Sequence, residues 1–291
     1  MDGNGFDPTQ ATSARLNRRA FVGITAAAAG IGAAAPALAQ SAEAALGRAH
    51  PPIVAETDPA IVVERVTLMR PDGPVAAYAA WPIHAGPRTP SVVVVMHVWG
   101  VDVSIRDVVR RLAKAGFAAI APDLYARFGA PSGDNVTDIG TFRSFAKQLD
   151  RAQYGGDIGA AAAWLKTKFP ATQTGIIGFC MGGRIAMLAA IDNGAAFAAV
   201  CPFYGPLTGV EPKAITMPWC GSYGARDTGI PAASVTAFAA ELSVPHDLRI
   251  YDAAGHAFFD DQRSAYVASA AADAWRRTLG FLQKYAGAAS S

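Results

Sequence analysis

The sequence predicts an α/β domain with a mostly parallel sheet and helices on both faces, and three observations support this fold class. Strand-like and helix-like segments alternate along the chain. The β-branched run "SVVVV" at residues 91–95 is typical of a strand that is buried on both faces. The chain has 291 residues, 52% of them hydrophobic, which is enough for one large core.

The first elements are a hairpin and a strand with its crossover helix. "VERVTLMR" and "VAAYAAW" flank the turn "PDGP", which predicts two antiparallel strands. After "SVVVVMHVWG", the segment "SIRDVVRRLAKAG" predicts a helix, with Ser104 as its N-cap and Gly116 just after its end. The apolar residues at helical spacing are Ile105, Val108, Val109 and Leu112.

The same alternation continues to the end of the chain. "FAAIAPDLY", "TGIIGFC", "FAAVCPFYG", "ITMPWCGSYGARD" and "HDLRIYDAAGH" predict strands. "DIGAAAAWLKTKF", "GGRIAMLAAIDNG" and "AASVTAFAAEL" predict helices, and "SAYVASAAADAWRRTLGFLQKY" predicts a terminal one. Functional groups are expected at the carboxyl ends of the parallel strands.

The N-terminus resembles a twin-arginine export signal. Arg18 and Arg19 precede a weakly apolar Ala/Gly run that ends in "ALA", so cleavage is expected after Ala39. We therefore expect residues 1–39 to be a signal, 40–60 a linker and 61–286 the α/β domain, in a periplasmic or secreted protein that uses the twin-arginine machinery. The alternative is a membrane anchor, but a spanning helix needs about 20 strongly apolar residues.

Charge and cysteine content narrow the possible partners. The formal net charge is +2, and no Lys/Arg stripe with interleaved aromatics is present, so no nucleic-acid partner is expected. Three cysteines leave at least one thiol unpaired. Cys201 and Cys220 lie in apolar strand-like runs and are expected to be core residues rather than a disulfide.

No familiar cofactor motif is present. Gly178, Gly182 and Gly183 are spaced wrongly for a dinucleotide loop, and no lysine follows them as in a phosphate loop. The chain also lacks HExxH. We expect no metal and no cofactor, so the chemistry must come from side chains.

A candidate nucleophile occupies the five residues "GFCMG". The form G-x-C-x-G is the cysteine version of a nucleophile elbow, a strained strand-to-helix turn that lifts Cys180 above the sheet. A helix N-terminus favours the thiolate over the thiol. A buried structural cysteine is the alternative.

Candidate partners of Cys180 follow in the order acid, then base. Asp227 ends "GSYGARD" and His256 follows "LRIYDAAG", each at the end of a predicted strand. In such a triad, His256 takes the proton from Cys180 and Asp227 orients the imidazole. Alternatively, Asp227 is a turn residue and His256 a loop histidine, and Asp252 is the nearest rival acid.

From Val62 to Tyr285 the chain resembles the dienelactone hydrolases, enzymes with the α/β-hydrolase fold. The segments that carry the resemblance are the hairpin, "APDLYAR", "GFCMGG", "ARD", "AGHAFF" and "YVASAAADAWRRTLGFL". The resemblance implies the same Cys180, Asp227 and His256 triad. It also implies an oxyanion hole formed by the backbone N–H groups of Val98 and Met181.

Two positions depart from the family pattern. His97 stands where members with lactonase chemistry carry a glutamate beside the cysteine, and Asp260 stands where they carry a substrate-binding arginine. We expect His97 and Asp260 to form a pair that raises the pKa of His97. The alternatives are a histidine packed on backbone and a solvated loop carboxylate.

Several further residues are candidates for substrate binding. Arg127, Arg143 and Arg263 could meet an anionic substrate, or could be solvated surface residues. Trp99 and Phe258 would line the mouth of the pocket, or else belong to the core.

These observations predict an exported hydrolase that cleaves ester or lactone bonds through Cys180 and a thioester, with a small-molecule substrate. A general carboxylesterase is the alternative within enzymes. A catalytically silent binding protein with the same fold is the alternative outside them.

Overall fold

The core of the fold is one eight-stranded sheet with helices on both faces. A computed structural model describes residues 47–287, apart from 137 and 171. The strands are Ile61–Leu68 (β1), Val75–Pro82 (β2), Ser91–Val95 (β3), Ala118–Pro122 (β4), Thr174–Phe179 (β5), Ala199–Phe203 (β6), Trp219–Gly224 (β7) and His246–Tyr251 (β8). The α-helices of this part of the chain are Val103–Lys114 (α1), Ile139–Ala146 (α2), Arg151–Lys168 (α3), Met181–Asp192 (α4), Ala232–Ala240 (α5) and Ala268–Ala286 (α6).

The strand order is β1-β2-β4-β3-β5-β6-β7-β8. Strands β1 and β2 form the predicted antiparallel hairpin, with Leu68 opposite Val75, and β2 also pairs antiparallel with β4. All other neighbouring pairs are parallel. Every residue of β3 is buried, as expected for a β-branched strand covered on both faces.

Helices cover the two faces separately. A Cβ built on Gly175 of β5 would lie 2.4 Å from Leu282 of α6, whereas one on Gly178 would lie 2.9 Å from Ala186 of α4. Residues three apart in a strand point to opposite faces, so α4 and α6 lie on opposite sides of the sheet. Helix α3 packs beside α4, while α1 and α6 share a cleft on the other side.

The parallel arrangement determines where the functional groups meet. Strands β3, β5, β7 and β8 all end at the same edge of the sheet, because neighbouring parallel strands share one direction. The loop after β3, Cys180 after β5, Asp227 after β7 and His256 after β8 therefore come together at that edge.

The start of α1 differs from the sequence prediction. The N-cap is Asp102, whose carboxylate accepts the N–H of Ile105 at 3.1 Å, and not Ser104. Ser104 lies inside the first turn, where its hydroxyl donates to Asp260 at 3.2 Å. Either side chain can cap a helix, and the position of Asp260 gives the serine another acceptor.

Three other helices differ from the sequence prediction. Helix α3 begins at Arg151, six residues before the predicted segment. Helix α2 was not predicted, although Asp138 caps it by accepting the N–H groups of Gly140 and Thr141. The terminal helix α6 begins at Ala268, four residues later than the predicted segment.

The segment before the domain is only partly described. The predicted export signal, residues 1–39, and residues 40–46 of the predicted linker lie outside the described residues. Residues 47–60 form no helix or strand. Val54 is nevertheless buried, and its N–H donates to Asp107 of α1 at 2.9 Å.

Cys201 of β6 and Cys220 of β7 are free thiols that are both fully buried. The expectation that they are core residues and not a disulfide is confirmed.

Candidate active site

Cys180 sits on a strained turn between β5 and α4. Its φ of +54° and ψ of −123° fall in a sparsely populated region for a residue with a side chain. The Cys180 N–H donates to the Phe203 carbonyl of β6 at 3.0 Å, which holds the turn in place. The thiol is thus placed at the N-terminus of α4 and at the carboxyl edge of the sheet.

Two glycines make this turn possible because they let neighbouring backbone segments approach each other closely. A Cβ on Gly182, in the first turn of α4, would lie 2.3 Å from the Met96 carbonyl oxygen and 2.5 Å from that of Val95. A Cβ on Gly178 would lie 2.0 Å from the Gly182 carbonyl oxygen. Any side chain at these positions would push α4 away from β3 and β5.

The three predicted triad residues form one hydrogen-bonded chain. His256 Nε2 lies 3.0 Å from Cys180 Sγ, and His256 Nδ1 lies 2.7 Å from Asp227 Oδ2. The other carboxylate oxygen of Asp227 accepts the N–H groups of Gly229 at 2.9 Å and Ile230 at 3.1 Å. Asp227 is therefore fixed on both oxygens and directs the proton of His256 to Nδ1, which leaves Nε2 facing the thiol.

The rival acid, Asp252, does not take this place. Its residue is exposed, and its backbone carbonyl accepts a hydrogen bond from Arg226 at 3.1 Å. Of the two carboxylates, Asp227 is the one bonded to His256.

The electrostatics of the pair favour charge separation. Burial alone raises the pKa of the Cys180 thiol, but the hydrogen bond and charge of His256, the N–H of Met181 and the charge of His97 together lower it. Burial alone lowers the pKa of His256, but the hydrogen bonds and charges of Cys180 and then Asp227 raise it to about 9. The lowered pKa of Cys180 and the raised pKa of His256 both favour a thiolate–imidazolium pair over the neutral thiol and imidazole.

The two backbone groups of the predicted oxyanion hole come from two different segments. Met181 follows Cys180 directly, and Val98 belongs to the loop after β3, against which α4 packs closely. The Val98 carbonyl accepts the hydroxyl of Tyr125 at 3.0 Å, which anchors this loop. Neither N–H donates to a backbone carbonyl within the described residues.

His97 is buried between two carboxylates. Its Nε2 lies 2.9 Å from Asp102 Oδ1, and its Nδ1 lies 3.6 Å from Asp260 Oδ2. The guanidinium of Arg263 lies 3.3 Å from Asp260 and 4.0 Å from Asp102. His97, Asp102 and Asp260 are each 5% exposed or less, so Asp260 is not the solvated loop carboxylate of the alternative interpretation.

Sequence reasoning missed Asp102 as the nearer partner of His97. Asp102 lies two residues before Ser104, the predicted helix cap. The one available indication was the five-residue spacing between His97 and Asp102 across a short loop before a helix.

The remaining predicted substrate residues separate into two groups. Trp99 is 8% exposed and lies beneath Arg263, whose guanidinium carbon is 3.8 Å from the ring centroid. Arg143 is exposed on α2. Arg263 therefore lies over the loop that follows β3, which carries Trp99.

Phe258 and Arg127 make contacts within the protein. Phe258 is fully buried and packs against Tyr204 at a centroid distance of 5.3 Å, so it is a core aromatic and does not line a pocket mouth. Arg127 binds Asp157 of α3 at 2.8 Å and Asp72 of the first hairpin turn at 3.3 Å. Its charge is balanced there, which corrects the expectation that it meets an anionic substrate.

Helix α2 adds an aromatic contact that sequence reasoning did not find. Phe142 is fully buried, with its ring edge-on to Trp99 at 5.6 Å and tilted to Tyr125 at 6.2 Å. Through Tyr125 and Trp99, α2 therefore supports the loop that carries Val98.

Within the described residues, no helix has the length and apolar character to cross a membrane. The same part of the chain contains no group of three or more His, Cys, Asp or Glu residues arranged to hold a metal ion.

Comparison with known proteins identifies the family. Residues 75–286 match the family model described as the dienelactone hydrolase family. A "Putative carboxymethylenebutenolidase" of Methylorubrum extorquens AM1 is 36% identical over 256 residues, covering 80% of this chain and 87% of that protein. A "Probable 2-oxo-3-(5-oxofuran-2-ylidene)propanoate lactonase" of Bradyrhizobium is 32% identical over 224 residues, covering 71% of this chain and 88% of that protein.

A solved structure supports the same assignment. The crystal structure of a "Putative Dienelactone Hydrolase" from Klebsiella pneumoniae is 32% identical and matches with a TM-score of 0.70, covering 78% of this chain and all of that one. The predicted α/β-hydrolase fold is thereby confirmed. The chain belongs to the dienelactone hydrolase family and is a dienelactone hydrolase-like hydrolase.

Proposed function

We propose that this protein hydrolyses ester or lactone bonds of small molecules through a Cys180–His256–Asp227 triad and a thioester intermediate. The observation that carries the proposal is the continuous chain of contacts from Sγ to Nε2 at 3.0 Å and from Nδ1 to Oδ2 at 2.7 Å. The lowered pKa of Cys180 supports a thiolate nucleophile.

In the first half-reaction, the Cys180 thiolate attacks the carbonyl carbon and forms a C–S bond. The carbonyl π electrons move to oxygen, and the N–H groups of Val98 and Met181 bind the resulting oxyanion. When the C=O bond re-forms, the C–O bond to the alkoxide breaks. The alkoxide takes the proton from His256 Nε2, and the acyl group remains on Cys180 as a thioester.

In the second half-reaction, water enters and gives a proton to His256 Nε2 while its oxygen attacks the thioester carbon. The second tetrahedral oxyanion occupies the same two N–H groups. Its collapse breaks the C–S bond, releases the acid and restores the thiolate beside the imidazolium. Asp227 stabilises the imidazolium in both halves without being protonated.

Acyl trapping tests the nucleophile and the intermediate together. The protein is mixed with p-nitrophenyl acetate, quenched in acid during turnover, digested and analysed by mass spectrometry. We expect an acetyl group on Cys180 that is removed by neutral hydroxylamine, and none on that peptide in Cys180→Ala. Ester turnover that persists in Cys180→Ala, or an acyl group on another residue, would contradict the proposal.

The bond class is tested with a panel of γ- and δ-lactones and open-chain esters of matched size. The relative named as a lactonase supports lactones among the substrates. A higher kcat/KM for lactones than for open-chain esters supports lactones as the substrate class. Equal turnover of open-chain esters supports the general carboxylesterase, and no turnover by a folded protein supports the silent binding protein.

We also propose export through the twin-arginine machinery to the periplasm or the medium. Arg18, Arg19 and the "ALA" that ends at residue 39 support this. Intact mass of the protein from the periplasmic fraction of a bacterial host is expected to correspond to a chain that begins at Gln40. An uncleaved chain that remains in the cytoplasm of a host with an active twin-arginine system would refute the export proposal.

A further inference from the structure

A second histidine, His97, is buried near the proposed nucleophile, and it contacts carboxylates from two separate loops. Asp102 comes from the loop between β3 and α1, and Asp260 from the loop after β8. His97 itself ends the run that leads from β3 into the loop of Val98. One imidazole thus links the two loops that flank the elbow.

Charge balance in this cluster requires a cation at His97. The two carboxylates are 2% and 4% exposed, and the cation nearest to both, besides the imidazole, is Arg263. With a neutral imidazole, the cluster of His97, Asp102, Asp260 and Arg263 would carry a net negative charge beside a thiolate. Such a charge is unfavourable in a medium of low dielectric. With an imidazolium, the cluster is neutral.

The hydrogen-bond directions assign different tasks to the two histidines. His256 Nε2 faces Cys180 Sγ, so this imidazole can exchange a proton with the thiol. Both ring nitrogens of His97 face carboxylates instead, at 2.9 Å and 3.6 Å. His97 can therefore act on Cys180 through its charge, but it does not transfer the proton.

We propose that His97 is a positioning residue: held as an imidazolium by Asp102 and Asp260, it supports the Cys180 thiolate electrostatically and ties down the loop that carries Val98. This inference rests on the proposed function, since it assigns a role at the same nucleophile. His97 would be a second cation near the thiolate, in addition to the imidazolium of His256.

The pKa shifts agree with this arrangement. Burial alone lowers the pKa of His97, but the charge and hydrogen bond of Asp102, and the charges of Asp260 and Cys180, raise it from 6.5 to about 8. Burial alone raises the pKa of Asp102, but His97, the Ile105 N–H and Arg263 lower it overall.

Asp260 is ionised less readily than Asp102. Burial raises its pKa, and His97 and Arg263 only partly oppose that effect. Since the folded-state pKa of His97 lies above its ordinary value, the imidazolium is complete below about pH 6.5 and is lost as the pH rises through about 8.

The loop geometry links the same cluster to Val98. The Gly100 N–H donates to the His97 carbonyl at 3.1 Å, which closes a tight turn around Val98 and Trp99. Asp102 accepts from both His97 and the first turn of α1. The Asp102 carboxylate thus connects His97, where the turn begins, with the first turn of α1, which follows it.

The test measures the pH dependence of iodoacetamide alkylation at Cys180, followed by peptide mass spectrometry. In His97→Gln we expect the apparent thiol pKa to rise by about one unit, because an opposite charge nearby is lost. At pH values well below the thiol pKa of the wild type, the alkylation rate should then fall about tenfold relative to the wild type. Asp260→Asn keeps the ring but removes one anion, so it should shift the profile in the same direction by less.

The matched control is His50→Gln. His50 is also a buried histidine beside a buried carboxylate, 3.4 Å from Asp261, but its charge is not among those that lower the pKa of Cys180. Its alkylation profile should coincide with that of the wild type. Circular dichroism and thermal unfolding identify any variant that fails to fold. If His97→Gln does not fold, the alkylation profile of Asp260→Asn tests the role of His97 instead.

The possible outcomes separate this inference from the proposed function. A wild-type Cys180 that reacts no faster than free cysteine overturns both. A reactive wild-type thiol whose profile is unchanged in His97→Gln and Asp260→Asn overturns the role of His97 alone. A shift in both variants, with none in His50→Gln, establishes it.

Discussion

Replacing Asp227 with asparagine is expected to lower kcat/KM for ester hydrolysis about 10⁴-fold while the fold is retained. Asparagine can keep its side-chain oxygen in place to accept the N–H groups of Gly229 and Ile230. Its NH₂ group then faces His256 Nδ1, which must become the acceptor. The ring proton moves to Nε2 and points at Cys180, so the imidazole can no longer take the proton of the thiol.

Asp252→Asn is the matched control, because Asp252 lies only four residues before His256 in the sequence. It should change kcat/KM by less than about twofold, since its carboxylate is exposed and not bonded to His256. Both variants are compared with the wild type on one activated ester, with far-UV circular dichroism as the check of folding. A larger loss in Asp252→Asn than in Asp227→Asn would overturn the triad.

Gly182→Ala is expected to reduce the free energy of unfolding by about 3 kcal/mol. The added methyl would lie 2.3 Å and 2.5 Å from the carbonyl oxygens of Met96 and Val95, and backbone atoms cannot rotate away as side chains can. Helix α4 must therefore move off β3, which displaces Cys180 and Met181 from Val98. A displacement of about 1 Å at a catalytic site can reduce the rate about 100-fold, and we expect a loss of that size in kcat/KM.

Gly280→Ala is the matched control, because it adds the same methyl group to a helix where there is room for it. A Cβ at Gly280 of α6 meets no atom within 4 Å, so alanine should raise the free energy of unfolding by up to about 1 kcal/mol and leave activity unchanged. Urea unfolding followed by circular dichroism, together with ester turnover, measures both effects. Equal stability and activity in the two variants would show that α4 does not pack against β3 as described.

Much of the architecture and the order of the candidate triad could be predicted from local patterns. The β-branched run of β3, the helical spacing from Ile105 to Leu112 and the glycines around Cys180 each indicate a structure within a few residues. Parallel strands end at a common edge, so residues that follow such strands can be expected to meet. For this reason Cys180, Asp227 and His256 could be grouped from the sequence.

The surroundings of the site depended on contacts between segments that are far apart in the sequence. Arg127 pairs with Asp157 thirty positions away, and Ser104 bonds to Asp260 across 156 positions, so neither partner can be identified from local pattern. The pKa of His97 is raised because folding brings it next to Asp102 and Asp260 in a buried site, where water screens their charges less. The identity of the candidate triad residues was thus encoded in local sequence, whereas the contacts that surround them and shift their pKa values arise only when the loops after β3 and β8 are packed against the elbow.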